Sequence, residues 1–289
     1  MGVNGSLLVV GAKGYVGAAV IAEASRRGLT IAGTSSLGGS GLLPLNLAHA
    51  EKFDYQAVSK DCTVVLTAAV SSPDHCSNNY DNAYAINVTG TTHFIEQALT
   101  RGAHIIFLSS DAVYGEAPFP VGEDAPCRPV GAYAEMKLEV ERRFRGDPSF
   151  KVARLSYVFS RQDKFTRYLL DCAVNGSTAE IFHPFARNVI YRGDVVDGLL
   201  ALQAGWEATE LDVVNFGGSH SVSRLDIART IKRLVAPQLD IREMSPGPDF
   251  FKDRPREIQL VSTRLESLLG RPLRSIDQAI QLDFNIGDR

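Results

Sequence analysis

The chain has 289 residues, of which 45% are hydrophobic and 22% charged, as in a globular protein with one large domain or two intimate ones. A net charge of −3 excludes a strongly basic surface, so we expect no nucleic-acid partner. No apolar run approaches the ~20 residues that span a bilayer and no secretory signal pattern opens the chain, so we expect no membrane association and a cytoplasmic location. The four cysteines have no metal-type spacing, and we expect no metal site: Cys62, Cys76, Cys127 and Cys172.

Apolar runs alternate with helical patterns through the first half of the chain. The predicted strands cover residues 7–10, 30–34, 63–69, 104–108 and 152–155, and the predicted helices cover residues 15–27, 80–101 and 131–145. Continuous apolar strands that alternate with helices indicate a parallel sheet covered on both faces. We therefore predict an α/β fold, a doubly wound parallel sheet of the Rossmann type, over residues 1–156.

The second half, residues 157–289, is divided by prolines into shorter elements. Helices are predicted near residues 194–204 and 223–235, and a long loop is predicted at residues 246–255. Long loops in compact domains are often functional. We predict a smaller, mixed α/β part that binds substrate, is partly interleaved with the first domain and forms a cleft with it.

A glycine-rich loop follows the first predicted strand and opens the first predicted helix. Gly11, Gly14 and Gly17 allow a tight turn and a close approach of backbone to phosphate, and the helix N-terminus adds free N–H groups. This context favours a dinucleotide pyrophosphate site over a ligand-free turn. Lys13, Tyr15 and Val16 lie in the same loop and are assigned to the cofactor with it.

The end of the second predicted strand bears on the choice of cofactor. NAD-binding domains usually place an acidic residue about 20 residues beyond the glycines, against the ribose 2′-hydroxyl. Here Ser35 and Ser36 occupy that region. A serine can donate a hydrogen bond to a 2′-phosphate that a carboxylate would repel, which favours NADP(H) over NAD(H).

A hydroxyl, a phenol and an ammonium have the spacing of a proton-transfer site. Ser110 follows the strand at 104–108, at the sheet edge where ligands bind, and Tyr133 and Lys137 share one helix face at i and i+4. A nearby ammonium lowers the pKa of a phenol, which is ordinarily near 10. The alternative is an ordinary amphipathic helix face, but the upstream glycine loop favours the catalytic interpretation.

With these motifs the chain resembles the extended short-chain dehydrogenase/reductases, in the group of sugar-nucleotide epimerases, dehydratases and reductases. Ser110, Tyr133 and Lys137 match the catalytic residues of that family, and Asn87 matches its helix asparagine near the active site. The resemblance also assigns residues beside the cofactor: Asn46 and Leu47 near the adenine, and the strand-end positions Ala68, Ala69, Val70 and Leu155.

Within that group the tail at 254–272 is similar to dTDP-4-dehydrorhamnose reductases. The segment 183–192 instead resembles that of epimerases, which leaves the exact sugar open. The resembling dehydratases carry an Asp-Glu pair after the catalytic Ser or Thr, whereas this chain has Asp111 and Ala112.

The resemblance assigns Arg187 and Arg254 to the nucleotide diphosphate, since a guanidinium offers paired donors in one plane. Both could instead be solvated surface arginines. Ser71, Asp111 and Ala112 are assigned to the substrate, although Asp111 could equally cap a local turn.

The resemblance implies NADPH-dependent reduction of a nucleotide-linked 4-keto-6-deoxy sugar. One alternative is an epimerase that recycles NAD. Another is a non-catalytic NADP-binding regulator, like the β subunit of methionine adenosyltransferase. The resemblance also implies a homodimer formed through the helices near 80–101 and 131–145.

Overall fold

The computed structural model describes residues 6–287, in which strands and helices alternate. The strands are Leu7–Val10 (β1), Ile31–Ser35 (β2), Leu43–Pro44 (β3), Thr63–Leu66 (β4), His104–Ser110 (β5), Ala117–Val121 (β6), Phe150–Leu155 (β7), Val158–Phe159 (β8), Thr178–Phe182 (β9), Ala186–Arg187 (β10), Ile190–Tyr191 (β11), Val213–Phe216 (β12), Val222–Ser223 (β13), Asp240–Met244 (β14) and Glu257–Leu260 (β15). The helices are Tyr15–Arg26 (α1), Pro73–Asn78 (α2), Tyr80–Tyr84 (α3), Thr91–Thr100 (α4), Ala132–Phe144 (α5), Lys164–Asn175 (α6), Arg192–Ala204 (α7), Arg224–Leu234 (α8), Thr263–Leu269 (α9) and Ile276–Asp283 (α10).

A seven-stranded parallel sheet forms the centre, in the order β3-β2-β1-β4-β5-β7-β12. The order reverses between β1 and β4, and ligands of open α/β sheets bind outside the carboxyl ends of the strands at such a point. The predicted Rossmann-type fold is therefore confirmed. The glycine loop after β1 and the loop after β4 lie side by side at the reversal.

Both faces of the large sheet are covered by helices. Every residue of β1 and β4 is buried, because these apolar strands lie in the middle of the sheet. On one face the core includes Phe94 of α4 and Val140 of α5. On the other face it includes Val20 of α1, Leu199 of α7 and Leu265 of α9.

The second half of the chain contributes to both parts of the molecule. Strand β12 forms an edge of the large sheet, and helices α7 and α9 pack on one of its faces. The remaining elements, together with β6 of the first half, form smaller sheets with the orders β13-β10-β15-β6, β11-β8 and β14-β9, and a separate core lies beneath α6, α8 and α10. We call this smaller part the cap. The division at residue 156 remains a prediction, but three elements beyond it belong to the large sheet and its layers.

The structure differs from the sequence-based elements in several places. The predicted helix at 80–101 is interrupted by a π-helical segment, Ala85–Gly90. The predicted strand at 63–69 ends at Leu66, because Thr67 turns and donates its hydroxyl to the Val10 carbonyl oxygen at 2.8 Å. Helices α6 and α10 were not predicted, although Asp163 caps one and a Ser275 capping box begins the other.

No helix within residues 6–287 is long and apolar enough to cross a bilayer.

Candidate active site

The glycine loop is a close-packed turn that only glycine can form. Gly11 has φ +89°, and the Gly14 N–H donates to the Gly11 carbonyl oxygen at 2.8 Å. A Cβ at Gly17 would lie 2.3 Å from that same oxygen, and one at Gly11 would lie 2.9 Å from Thr67 Oγ1. Helix α1 starts directly after Gly14, which has no side chain to cap it. The positive helix end is therefore left open toward an anion.

Other side chains of this loop have separate environments. Val16 is half-buried against the core below the large sheet. The Tyr15 hydroxyl donates to Ser160 Oγ at 2.8 Å, and burial raises the pKa of Tyr15 above its ordinary value. Tyr15 thus ties the start of α1 to the segment that follows β8.

The turn after β2 brings a lysine to the predicted 2′-phosphate region. Ser35 is buried, and its hydroxyl donates to the Gly38 carbonyl oxygen at 3.1 Å. Ser36 is exposed. The ammonium of Lys13, which is also exposed, reaches the same Gly38 oxygen at 3.4 Å. The sequence assigned Lys13 to the cofactor loop, but only the fold brings its charge to this turn.

Asn87 holds the loop that follows β4. Its Oδ1 accepts from the Val70 N–H at 2.8 Å, and its Nδ2 donates to the Val70 carbonyl oxygen at 2.9 Å. Asn87 is buried within the π-helical segment, and such irregular helical turns are frequent at functional sites. Ala68, Ala69 and Val70 are thereby fixed beside the glycine loop.

The remaining predicted cofactor positions lie at two edges of this region. Asn46 is exposed and caps a 3-10 helix, since its Oδ1 accepts from the Ala48 N–H at 3.0 Å. Leu47 is buried against Gly90, where an added Cβ would lie 1.6 Å from the Leu47 carbonyl oxygen. Leu155 ends β7, directly opposite Ser110 in the sheet register.

Ser110, Tyr133 and Lys137 meet at the carboxyl edge of β5. The Lys137 ammonium donates to the Leu108 carbonyl oxygen at 2.7 Å and lies 6.0 Å from the Tyr133 ring centre. The Ser110 hydroxyl accepts from the Ala112 N–H and donates to Asp111 Oδ1, both at 3.2 Å. Strand β5 and helix α5 thus bring a hydroxyl, a phenol and an ammonium together beside the reversal of the sheet.

The pKa of Tyr133 is raised, not lowered as predicted from Lys137. Burial is the largest cause, followed by the electrostatic interactions with Asp111 and Cys76, while the hydrogen bond with Ser110 acts in the opposite direction. Burial also lowers the pKa of Lys137 to about 8, with Glu141 and Cys76 opposing that change. The phenol therefore stays protonated and is suited to donate a proton.

Asp111 and Arg187 form a buried pair behind the Ser110 hydroxyl. Arg187 Nε lies 3.6 Å from Asp111 Oδ2, which also accepts from the Ser156 hydroxyl at 2.9 Å. Burial raises the pKa of Asp111, and the Arg187 charge opposes that rise. The pair links the turn after β5 to strand β10 of the cap.

Arg187 is largely enclosed by protein. Its Nη1 donates to the Ala186 carbonyl oxygen at 2.7 Å, and its Nη2 donates to the Pro255 carbonyl oxygen at 2.7 Å. The guanidinium is committed to these carbonyls and to Asp111, because β10 runs beside β15 and brings the Pro255 turn against it.

Arg254 lies on the rim of the site. Its guanidinium pairs with Asp74 of α2 and stacks 4.6 Å from the centre of the Phe250 ring. The Arg254 loop lies close to the start of α5, since a Cβ at Gly131 would lie 2.6 Å from the Asp253 carbonyl oxygen. Ser71 is exposed two residues before α2, on the same rim.

Arg224 was missed by the sequence analysis. Its guanidinium lies 4.9 Å from the centre of the Phe185 ring and 5.2 Å from that of Phe165. Arg224 is the first residue of α8, where helices favour acidic side chains because of the positive helix end. A basic residue at the start of a helix was the feature of the sequence that could have drawn attention to Arg224.

Residues 6–287 contain no group of three or more His, Cys, Asp or Glu side chains that could hold a metal ion.

Comparison with known proteins supplies a family. Residues 5–285 match the family model described as RmlD substrate binding domain. The dTDP-4-dehydrorhamnose reductase of Mycobacterium tuberculosis (strain ATCC 25618 / H37Rv) is 28% identical over 280 residues, which are 93% of this chain and 88% of that protein. Methionine adenosyltransferase 2 subunit beta of Bos taurus is 24% identical over 280 residues, which are 92% of this chain and 83% of that protein.

Solved structures match the same fold. A hypothetical dTDP-4-dehydrorhamnose reductase from Sulfolobus tokodaii superimposes with a TM-score of 0.82 and 21% identity, covering 94% of this chain and 98% of that one. The UDP-glucose 4-epimerase of Thermus thermophilus, in complex with NAD, superimposes with a TM-score of 0.80 and 19% identity, covering 98% of this chain and 100% of that one. At these identities the likeness shows the fold alone.

Proposed function

Because this chain belongs to the RmlD substrate binding domain family, we propose that it reduces a nucleotide-linked 4-keto-6-deoxy sugar with NADPH. The observation that carries the proposal is the meeting of Ser110, Tyr133 and Lys137 beside the glycine loop. The similarity to a dTDP-4-dehydrorhamnose reductase along most of the chain supports the choice of sugar.

The residues at the reversal of the sheet fit a dinucleotide. The turn at Gly11 and Gly17 has no room for a Cβ, and the open N-terminus of α1 suits a pyrophosphate. Gly11, Gly14, Gly17 and the Asn87-held loop would hold the cofactor, with Lys137 toward the ribose. When bound, the nicotinamide supplies the hydride for the keto carbon.

The chain's own side chains would supply the proton and hold the reacting oxygen. Tyr133 would donate its phenolic proton to the oxygen of the substrate carbonyl as the carbon is reduced, and Ser110 would hold that oxygen by a hydrogen bond. Burial keeps the phenol protonated until that step. The Lys137 ammonium donates to the Leu108 carbonyl oxygen, and its positive charge would stabilise the phenolate that forms on Tyr133.

Reduction fits this site better than dehydration. Removing water from the sugar needs a second acid–base group after Asp111, as in the resembling dehydratases, and Ala112 has none. The Ala112 N–H instead donates to the Ser110 hydroxyl. The remaining groups suffice for reduction, which needs one proton.

We propose NADPH over NADH as the preferred cofactor. The Lys13 ammonium lies at the turn formed by residues 35–38, where a 2′-phosphate would be met, and no carboxylate occupies the Ser35 and Ser36 positions. A lysine there would attract the phosphate, whereas an acidic residue would favour the free 2′-hydroxyl.

The test mixes the purified protein with NADPH and dTDP-4-keto-6-deoxyhexose, and follows the absorbance of the reduced cofactor together with product mass. We expect cofactor oxidation and a product that has gained two hydrogen atoms. Untouched NADPH with a product of unchanged mass would support the epimerase instead. A second reaction offers an unoxidised nucleotide hexose instead, and loss of water from it would contradict the interpretation of Ala112.

A regulatory role is the second candidate, because the methionine adenosyltransferase subunit matches nearly as much of the chain. A regulator would bind NADP(H) without turning it over. Cofactor binding without any reaction on nucleotide sugars would favour that role.

We further propose a homodimer formed through α3, α4 and α5. Tyr80 is 46% exposed and stacks on Tyr84, whose hydroxyl donates to Glu139 of α5 at 2.6 Å. An exposed aromatic pair that joins two helix faces suits a subunit contact. Tyr80→Asp should lower the mass measured by light scattering to that of a monomer, while Tyr168→Asp on α6 should leave it unchanged.

A further inference from the structure

Unpaired buried polar atoms are concentrated in the cap. Among residues 6–287 they are His183 Nδ1, Ser221 Oγ, Arg224 Nε and Arg254 Nε. A buried donor without a partner destabilises the folded protein, so each such group calls for an explanation. The two arginine donors belong to one cluster of charges and rings.

Three guanidinium groups gather on two phenylalanine rings. Arg187 and Arg224 lie 4.7 and 4.9 Å from the centre of the Phe185 ring, and Arg254 lies 4.6 Å from that of Phe250. The two rings contact each other edge to face, with centres 5.7 Å apart. The cluster therefore joins β10, α8 and the Arg254 loop.

Two of the three charges have a carboxylate partner. Arg187 faces Asp111, and Arg254 pairs with Asp74. Among the ion pairs formed within residues 6–287, Arg224 has no carboxylate within 4.0 Å. Asp163, the acid whose charge acts on Arg224, already accepts from Tyr157 and from the N-terminus of α6.

The position of Arg224 is electrostatically unfavourable without an anion. Burial is the largest cause that lowers the pKa of Arg224, and the charge of Arg254 also lowers it, while Tyr157 and Asp163 oppose the change. Its place in the first turn of α8 adds the positive helix end to that repulsion. An anion at this point would relieve all three effects at once.

We propose that Arg224 binds the diphosphate of the nucleotide sugar together with Arg254. A diphosphate fits because each of its phosphate groups can accept paired hydrogen bonds from one guanidinium. Two buried Nε donors from separate elements suit two neighbouring phosphates. The inference rests on the proposed function, since it names a residue that selects the same substrate.

The experiment measures binding by calorimetry, on the full chain with NADP⁺ present so that the dinucleotide site does not take the probe. The probes are dTDP, UDP and GDP, each compared with its free nucleoside. We expect the wild type to bind a diphosphate more tightly than the matching nucleoside. Arg224→Gln should weaken the diphosphate by about tenfold to a hundredfold and leave the nucleoside unchanged, because a hydrogen bond to a charged group is lost.

Arg229→Gln is the matched control, since it removes the same charge from an exposed position on the same helix. Arg224→Lys keeps the charge but not the planar fork, and should bind the diphosphate with intermediate affinity. That variant decides the matter if Arg224→Gln does not fold, which thermal unfolding will reveal.

Wild-type affinity for the diphosphate in both Arg224 variants would overturn the inference. So would a wild type that does not distinguish any diphosphate from its nucleoside. Neither outcome depends on turnover, so a protein that binds diphosphates through Arg224 yet never oxidises NADPH would refute only the proposed reduction.

Discussion

At the scale of single residues, Tyr133 is a proton donor whose buried surroundings raise the pKa of its phenol. The helix face supplies the phenol, and burial with the Asp111 charge keeps it protonated. The Ser110 hydroxyl donates to Asp111 Oδ1. The proton donor and the oxygen-holding hydroxyl are therefore set by neighbours on β5 and α5.

Tyr133→Phe tests the proposed acid. The change removes the proton donor and keeps the ring, so the turnover number should fall by about 10²–10⁴. NADPH affinity, measured by fluorescence titration, should change little. A variant that keeps more than about half of the wild-type rate would mean that Tyr133 is not the acid.

The pKa of Lys137 predicts how activity responds to pH. Its pKa is lowered to about 8 by burial, so turnover should decline as the pH rises through about 8 and the ammonium loses its proton. Arginine does not titrate in this range. Lys137→Arg should therefore remove the decline, at a lower rate overall. A wild-type rate that stays constant well above pH 8 would contradict the requirement for a charged Lys137.

The contribution of Lys137 to the free energy of unfolding changes with pH in the opposite direction to its contribution to activity. A lowered pKa means that the unfolded chain binds more protons than the folded protein between about 8 and the ordinary value of 10.5. Stability from Lys137 therefore rises with pH across that window. Denaturant unfolding at two pH values, in wild type and Lys137→Met, separates this rise from the decline in activity.

At the scale of elements, parallel strands explain which parts of the site were predictable. The glycine loop and Ser110 each follow a predicted strand, and Tyr133 and Lys137 share one helix face, so local spacing was sufficient to assign them. The Asp111–Arg187 pair and the Arg224 cluster depend on the packing of β10 and α8, which are remote in sequence from β5. No local pattern specifies such contacts, so the enclosure of Arg187 could not be predicted from the sequence.

Irregular elements also escaped prediction. The π-helical segment at Ala85–Gly90 has the same apolar pattern as a continuous helix, so periodicity could not locate it. Ser35 presents the same difficulty. A serine at a strand end can face a ligand or close its own turn, and only the fold revealed the hydrogen bond to Gly38.

The turn after β2 predicts cofactor preference through Lys13. Lys13→Gln should weaken NADPH by about tenfold and leave NADH affinity unchanged, because a charged hydrogen bond to the 2′-phosphate is lost. Lys52→Gln, another exposed lysine, serves as the control. A wild type that binds NADH as tightly as NADPH would refute the preference without any variant.

At the scale of the whole molecule, the Asp111–Arg187 pair connects the large sheet to the cap. Arg187→Met leaves a buried carboxylate without its partner, and should lower the free energy of unfolding by about 3–5 kcal/mol. Asp111→Asn in the same chain should recover part of that loss. Chemical denaturation of the single and double variants measures the coupling, and additive losses would show that the pair does not interact.

The position of β12 in the chain restricts how the substrate specificity of this protein could evolve. The chain leaves the large sheet after β7, builds part of the cap, returns to add β12 as an edge strand, and then completes the cap. A fragment ending at residue 156 would expose the unpaired edge of β7, a template for aggregation. The cap therefore cannot be replaced as one continuous segment of the chain without also removing β12 from the large sheet. New specificity must arise by substitution within it, at positions such as Arg224 and the loop around Arg254, while the strand that closes the sheet stays in place.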